Sequence, residues 1–124
     1  MHNGNKRNKI YRLFFDFYQE LELKVREKIG FLLTILREQH NIPQKYVKHI
    51  SGSDGIYELR LSIAQNEYRI LFFFEEGSLI EGGKIVVLGN GFVKKSSKDY
   101  VKSVQKAEEI KAKYLDDLKS NQED

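Results

Sequence analysis

Two long segments of the chain repeat apolar residues at the spacing of an amphipathic helix. In the first, from Asp16 to about Gln39, apolar side chains recur every three or four residues and leave the charged side chains on the other face. The second begins at Lys98 or Asp99, continues to Tyr114, and ends in a polar tail over residues 119–124. We therefore predict one helix near the start of the chain and another near its end.

Between these helices the period changes to two residues, which is typical of β-strands. Residues 56–63 alternate apolar and polar side chains, and residues 68–75 are apolar on both sides except for Arg69. A short polar turn over residues 64–67 predicts a hairpin, and residues 84–92 predict a third strand with two glycines. Helices beside a mainly antiparallel sheet define an α+β fold.

The single proline, Pro43, marks a break after the first helix. We interpret Gln44 to His49 as one or two helical turns, and residues 9–15 as a short strand or the entry into the first helix. Because the sequence has no repeat and no linker, we expect a single domain over residues 1–124, with flexible tails at 1–8 and 119–124.

Composition narrows the class of protein. The 124 residues are 40% apolar and 31% charged, as in one soluble domain. The lack of cysteine excludes disulfide frameworks and cysteine-ligated metals, and it fits a reducing compartment, so we expect a cytoplasmic protein. The polar, basic start differs from a signal peptide, and no apolar run approaches the roughly 20 residues that cross a bilayer.

The net charge of +3 permits a polyanionic partner without requiring one. The excess is concentrated between Phe92 and Lys106, where five lysines accompany one acidic residue. On composition alone, a solvated helix face is the first interpretation of this cluster. The five residues are Lys94, Lys95, Lys98, Lys102 and Lys106.

The hairpin carries two arginines, and a guanidinium in a sheet generally needs a partner. If the strands pair through the predicted turn, Arg60 and Arg69 lie near the same end of the hairpin. Together they would present two donor forks that match phosphate oxygens. Glu58 shares a strand face with Arg60, so a surface ion pair is the alternative.

Two aromatic residues, Tyr68 and Phe92, are candidates for stacking a base of single-stranded RNA, with core packing as the alternative. The three histidines form no ligand pattern, so we expect no metal site. His49 precedes the first hairpin strand and is either near the sheet edge or simply solvated. We expect no cofactor, because the sequence has no phosphate-binding loop and no dinucleotide fingerprint.

Three motifs, in order after an amphipathic helix, resemble the HigB-like branch of the RelE toxin superfamily, a group often described as phage-derived toxins. They are YELR at residues 57–60, YRILFFF at 68–74 and GFVKKS at 91–96, the last followed by a lysine-rich helix. The resemblance runs from about Ile10 to Tyr114. In that branch a Thr-Pro pair usually leads into the last helix, whereas residues 97–100 here lack a proline, which leaves the helix start open.

The resemblance implies a RelE-like fold, a small twisted sheet flanked by an N-terminal pair of amphipathic helices and a C-terminal helix. It also implies the toxin of a type II toxin-antitoxin module, an endoribonuclease that cleaves mRNA on the ribosome and so inhibits translation. Its partners would be the ribosome, mRNA and a cognate antitoxin, commonly a helix-turn-helix protein. An inactive relative that only binds RNA or docks a protein is the alternative.

RNA can be cut without a metal when its own 2′-hydroxyl attacks the adjacent phosphate, provided that protons are moved and the phosphorane is stabilised. We assign Arg60 and Arg69 to phosphate binding and charge stabilisation. Lys94 and Lys95 are assigned to binding of the strand, or one of them, with Lys94 as the catalytic candidate, to proton donation. Glu58 is the candidate proton acceptor, with His49 as an outside candidate. Further RNA contacts are assigned to Lys95, Phe92, Lys98 and Tyr68.

Overall fold

The computed structural model describes residues 13–38, 43–75 and 86–122. Residues 1–12, including the predicted first tail, and the predicted loop at 77–83 lie outside the described residues. The helices are α1 over residues 13–19, α2 over Leu23–Glu38 and α3 over Ser97–Gln122. The strands are β1 (Val47–His49), β2 (Tyr57–Ile63), β3 (Asn66–Phe74) and β4 (Val86–Val93).

The first predicted helix is divided into two. At the end of α1 the backbone N–H groups of Glu20 and Leu21 donate to the carbonyls of Phe17 and Tyr18, at 3.3 and 3.2 Å. These bonds span three residues instead of four, which tightens the last turn and ends the helix. The prediction of one continuous helix from Asp16 was therefore wrong, although the helical character on either side of the break was correct.

The four strands form one antiparallel sheet in the order β1-β2-β3-β4. Only Ala64 and Gln65 connect β2 to β3, and both have positive φ angles, of 52° and 70°. Two residues in this conformation match the twist of a hairpin. The predicted turn was therefore two residues too long, and the register that results places Arg60 directly opposite Arg69.

The segment after Pro43 contains a strand, so the prediction of helical turns up to His49 was wrong. The N–H groups of Tyr46 and Val47 both donate to the carbonyl of Pro43, which closes a single turn. From Val47 the chain pairs with β2, with Val47 opposite Leu59. A β-branched residue beside an open strand edge favours this extended conformation.

The alternation of side chains gives the sheet two faces, and a helical layer covers each of them. The face that includes Leu59, Ile70 and Phe72 is apolar and packs with α2 and with aromatic residues of α1. On the opposite face, Leu71 and Phe73 pack against α3. The remainder of this second face carries the charged residues of the hairpin. The α+β prediction is confirmed, and the arrangement is consistent with a RelE-like fold.

The last helix begins at Ser97, one residue before the predicted range. The hydroxyl oxygen of Ser96 accepts a hydrogen bond from the N–H of Asp99 at 3.2 Å, so Ser96 caps the helix start without a proline. The helix continues to Gln122, which makes residues 119–122 helical although a tail was expected there. None of the helices that the structure describes has both the length and the apolar character to cross a membrane.

Candidate functional site

The polar part of the second sheet face contains the two arginines of the hairpin. Arg60 and Arg69 are directly opposite on neighbouring strands, so their side chains leave the same face of the sheet. Their accessibility differs, because the side chain of Arg60 is 33% exposed and that of Arg69 is 5% exposed. Both arginines lie on one face, as the sequence predicts, but of the two only Arg60 is exposed enough to contact a ligand from solvent.

Glu58 lies between the two guanidinium groups and is itself buried. Its carboxylate oxygens are 3.3 Å from Nε of Arg60 and 3.9 Å from Nε of Arg69. Two like charges side by side would repel each other, and the carboxylate between them offsets that repulsion. The ion pair considered as an alternative is therefore present, but it is a buried cluster and not an isolated surface pair.

Arg69 has further partners that hold it in place. Its Nη2 atom lies 2.6 Å from the Glu67 carboxylate, and Nη1 donates to the carbonyl of Tyr68 at 3.1 Å. The hydrogen bond from Arg69, together with its charge, holds the pKa of Glu67 below its usual value of 4.5. Arg69 thus contributes a fixed positive charge beneath the surface, whereas Arg60 can reach a ligand.

A pocket of about 350 Å³ opens beside these arginines. Its volume is at the low end of the range for small-molecule sites, about 300–1,000 Å³. Three of the lining side chains are basic and one is acidic, so the pocket favours a small anionic group. The lining residues are Lys45, Tyr46, Arg60, Leu61, Ser62, Glu67 and Arg69.

The end of β4 brings part of the predicted lysine cluster to the same face. The backbone N–H of Lys94 donates to the carbonyl of Glu67 at 2.8 Å, and its ammonium lies 5.7 Å from the centroid of the Tyr100 ring. Phe92 is opposite Arg69 in the register and is partly buried against α3. Lys95 and Lys98 follow as exposed side chains. The lysines therefore border the arginine cluster, formed by Glu58, Arg60, Glu67 and Arg69, and Lys94 is hydrogen-bonded to it through its backbone.

The structure places two of the sequence-based candidates on the other face of the sheet, and for Tyr68 it agrees with the alternative of core packing. Tyr68 is only 8% exposed and packs in the apolar cluster under α2, on the face opposite Arg60. His49 is opposite Tyr57 in the register, and the two rings meet edge-on with their centroids 5.1 Å apart. His49 therefore lies on the same face of the sheet as Tyr57 and Tyr68. Because neighbouring residues of a strand point to opposite sides, neither side chain reaches the arginine cluster.

Sequence reasoning missed Tyr100, in the first turns of α3. Burial raises the pKa of its phenol above the usual 10.0, and the charge of Glu58 and a hydrogen bond with it raise the pKa further. Tyr100 thus closes the cluster from the helix side. Apart from its place within the lysine-rich segment, no pattern in the sequence points to Tyr100.

Sequence reasoning also missed Lys45 and Tyr46, because the segment that carries them was interpreted as helical.

Within residues 13–38, 43–75 and 86–122, no group of three or more His, Cys, Asp or Glu side chains is arranged to hold a metal ion.

A family model described as phage-derived protein Gp49-like matches residues 16–112 of the chain. The matched region extends from α1 into α3 and includes the whole of the arginine cluster. Neither the curated proteins nor the solved structures compared with the chain include a significant match. The family is RelE-like and is associated with the toxins of toxin-antitoxin systems. With most of its length matched, the chain belongs to the phage-derived Gp49-like family.

Proposed function

We propose that the chain is the toxin of a type II toxin-antitoxin module, of the HigB-like kind, and that it cleaves mRNA on the ribosome. Membership of a toxin-like family supports the first part. The observation that carries the second is the arginine cluster, in which exposed Arg60 and buried Arg69 border an anion-favouring pocket. Such a site suits the phosphate of an RNA backbone.

In this proposal the 2′-hydroxyl of the RNA passes its proton to water as its oxygen attacks the adjacent phosphate. The bond to the 5′-oxygen breaks, and a 2′,3′-cyclic phosphate and a protonated 5′-hydroxyl end are left. Arg60 binds the phosphate and stabilises the charge that develops on the phosphorane. Arg69 adds positive potential from below, since it is buried and its Nη1 and Nη2 groups are hydrogen-bonded to a backbone carbonyl and to Glu67. Lys94, exposed at the border of the cluster, is the candidate donor of a proton to the departing oxygen.

Glu58 suits a positioning role better than that of proton acceptor. It is 3% exposed and its two oxygens face the guanidiniums of Arg60 and Arg69, so its charge holds the cluster together. The pocket therefore offers charge stabilisation without a strong, free base. A site of this kind gains most from an RNA that is already oriented, and orientation alone can remove about 7–11 kcal/mol of a barrier. This supports dependence on the ribosome.

The direct test is growth arrest on expression of the full chain in bacteria. We expect Arg60→Ala to abolish arrest, and Arg60→Lys to restore little of it, because lysine keeps the charge but lacks the planar fork. Lys113→Ala is the matched control, since it removes an exposed positive charge from a distant part of α3. Circular dichroism checks that each variant is folded. Full toxicity in Arg60→Ala would contradict the proposal.

The lysines at the end of β4 provide a second test. We expect the double variant Lys94→Ala and Lys95→Ala to bind ribosomes or RNA more weakly, with a shallower dependence on salt. Mapping of mRNA ends by primer extension separates cutting from binding. Binding without new ends would favour a non-cleaving RNA-binding module, and absence of both binding and growth arrest would favour a protein-docking role.

A further inference from the structure

The side of the pocket away from Lys94 is formed by Lys45 and Tyr46, in the turn that precedes β1. β1 covers only the first three residues of β2, from Tyr57 to Leu59. In the described part of the chain, the edge of β2 beyond that point is not paired with another strand. The pocket opens at this uncovered edge, and the arginine cluster forms its other wall.

The ring of Tyr46 has two ammonium groups beside it. Nζ of Lys45 lies 5.0 Å from the ring centroid, and Nζ of Lys28, from α2, lies 5.4 Å from it. Both distances are within the range of cation–π attraction. Neither lysine forms an ion pair with a carboxylate among the residues that the structure describes. The ring and its two cations therefore form a positively charged, half-buried aromatic surface.

The backbone adds a directional donor at this place. The N–H of Arg60 donates to the carbonyl of Tyr46 at 2.7 Å, so it points to the outer edge of β2. Backbone groups of a strand alternate in direction, and Ser62, two residues further on, therefore presents its N–H at the same edge. Ser62 lines the pocket. A group held beside Tyr46 thus has a backbone donor within the same cavity.

We propose that Lys45 and Tyr46 form a nucleotide subsite next to the phosphate site of Arg60, and that its ligand is single-stranded RNA. Tyr46 stacks on an unpaired base, and Lys45 binds the phosphate that follows it. This inference rests on the proposed function. It gives the RNA a path, from the lysines at the end of β4, across Arg60, to the uncovered edge of β2. The ligand must be single-stranded, because the ring can stack only on a base that is not enclosed in a helix.

The test measures binding of a fluorescent short oligoribonucleotide to the purified full chain. Each nucleotide carries a 2′-O-methyl group, which blocks cleavage and isolates binding. We expect Lys45→Ala to weaken binding about fivefold and to reduce the slope of log affinity against log salt by about 0.7. We expect Tyr46→Ala to weaken it at least about fivefold, and Tyr46→Phe to retain most of the affinity because the ring remains. Lys113→Ala is the control for loss of charge.

The outcomes separate this subsite from the proposed function. If Arg60→Ala loses binding while Lys45→Ala and Tyr46→Ala behave like Lys113→Ala, the subsite is refuted and the proposed function stands. If Arg60→Ala binds as tightly as Lys113→Ala, the phosphate site at Arg60 is absent and the proposed function itself fails. A duplex of the same length that competes as well as the single strand also refutes the subsite, since paired bases cannot stack on Tyr46. Because the Tyr46 ring also packs against the apolar cluster beneath α2, circular dichroism and urea unfolding check that Tyr46→Ala is folded before its binding is compared.

Discussion

The buried carboxylate of Glu58 allows a sharp test of how the arginine cluster is held. Glu58→Gln removes the negative charge between two guanidiniums and leaves the shape of the side chain nearly unchanged. Arg60 is partly exposed, so water can solvate its charge after the change. Arg69 is 4% exposed and has no such access, although it keeps Glu67 and a backbone carbonyl as partners. The cost of the substitution therefore comes chiefly from Arg69.

Removal of one partner of a buried ion pair costs about 3–5 kcal/mol, and the partners that Arg69 retains place this case at the lower end, about 3 kcal/mol. Small domains are stable by only about 5–15 kcal/mol, so the loss is large. Urea unfolding of the wild type and the variant measures it as a shift of the midpoint at constant slope. Glu67→Gln is the matched control, because Glu67 contacts the same guanidinium but is exposed, and solvent screens its charge.

The control must lose much less stability than Glu58→Gln. Equal losses in the two variants would refute the reasoning, because they would show that burial does not decide the strength of these pairs. The Glu58→Gln variant also distinguishes between two roles for Glu58. If it positions the arginines, the folded Gln variant should keep part of its ability to arrest growth, whereas loss of a proton acceptor should abolish that ability completely.

Further predictions concern packing and the alkaline pH range. A Cβ atom at Gly91 would lie 2.4 Å from the ring of Phe17, so Gly91→Ala should lower the free energy of unfolding by about 1–3 kcal/mol in urea titrations. Beyond its chain neighbours and the backbone of α2 itself, nothing lies within 4 Å of a Cβ atom at Gly30, so Gly30→Ala should raise stability by about 0.8–1 kcal/mol. The raised pKa of Tyr100 means that the folded state holds the phenolic proton more tightly. Its contribution to stability is therefore complete below pH 10.0 and is lost as the pH rises through the folded pKa. Tyr100→Phe should flatten the alkaline decline in unfolding free energy, and an unchanged decline would contradict the placement of Tyr100 beside Glu58.

The parts of the fold that follow from periodicity could be predicted from the sequence. The apolar spacing of α2 and α3 and the alternation in β2 extend over enough residues to identify each element. Alternation also places Glu58 and Arg60 on one face. The register that sets Arg60 opposite Arg69 required the conformation of Ala64 and Gln65, which neither residue type favours, so spacing alone gave it only approximately.

The features that were missed depend on contacts between distant parts of the chain. β1 has only three residues, too few for a period to show, and it exists because β2 supplies an edge for it. The break between α1 and α2 falls among residues that tolerate a helix, and packing of both helices on one sheet face determines it. The burial of Arg69 depends on neighbouring strands and on α3, which no local pattern encodes.

The tight connection between β2 and β3 limits how this protein can vary through evolution. A single residue inserted at Ala64–Gln65 would slip the pairing by one position and turn alternate side chains to the wrong layer. If β3 slipped in this way, the Arg69 guanidinium would turn into the apolar layer beneath α2, and Tyr68 or Ile70 would take its place beside Arg60. Descendants of this gene can gain or lose amino acids in more tolerant connections, but the spacing between the two arginines should remain constant among those that stay active.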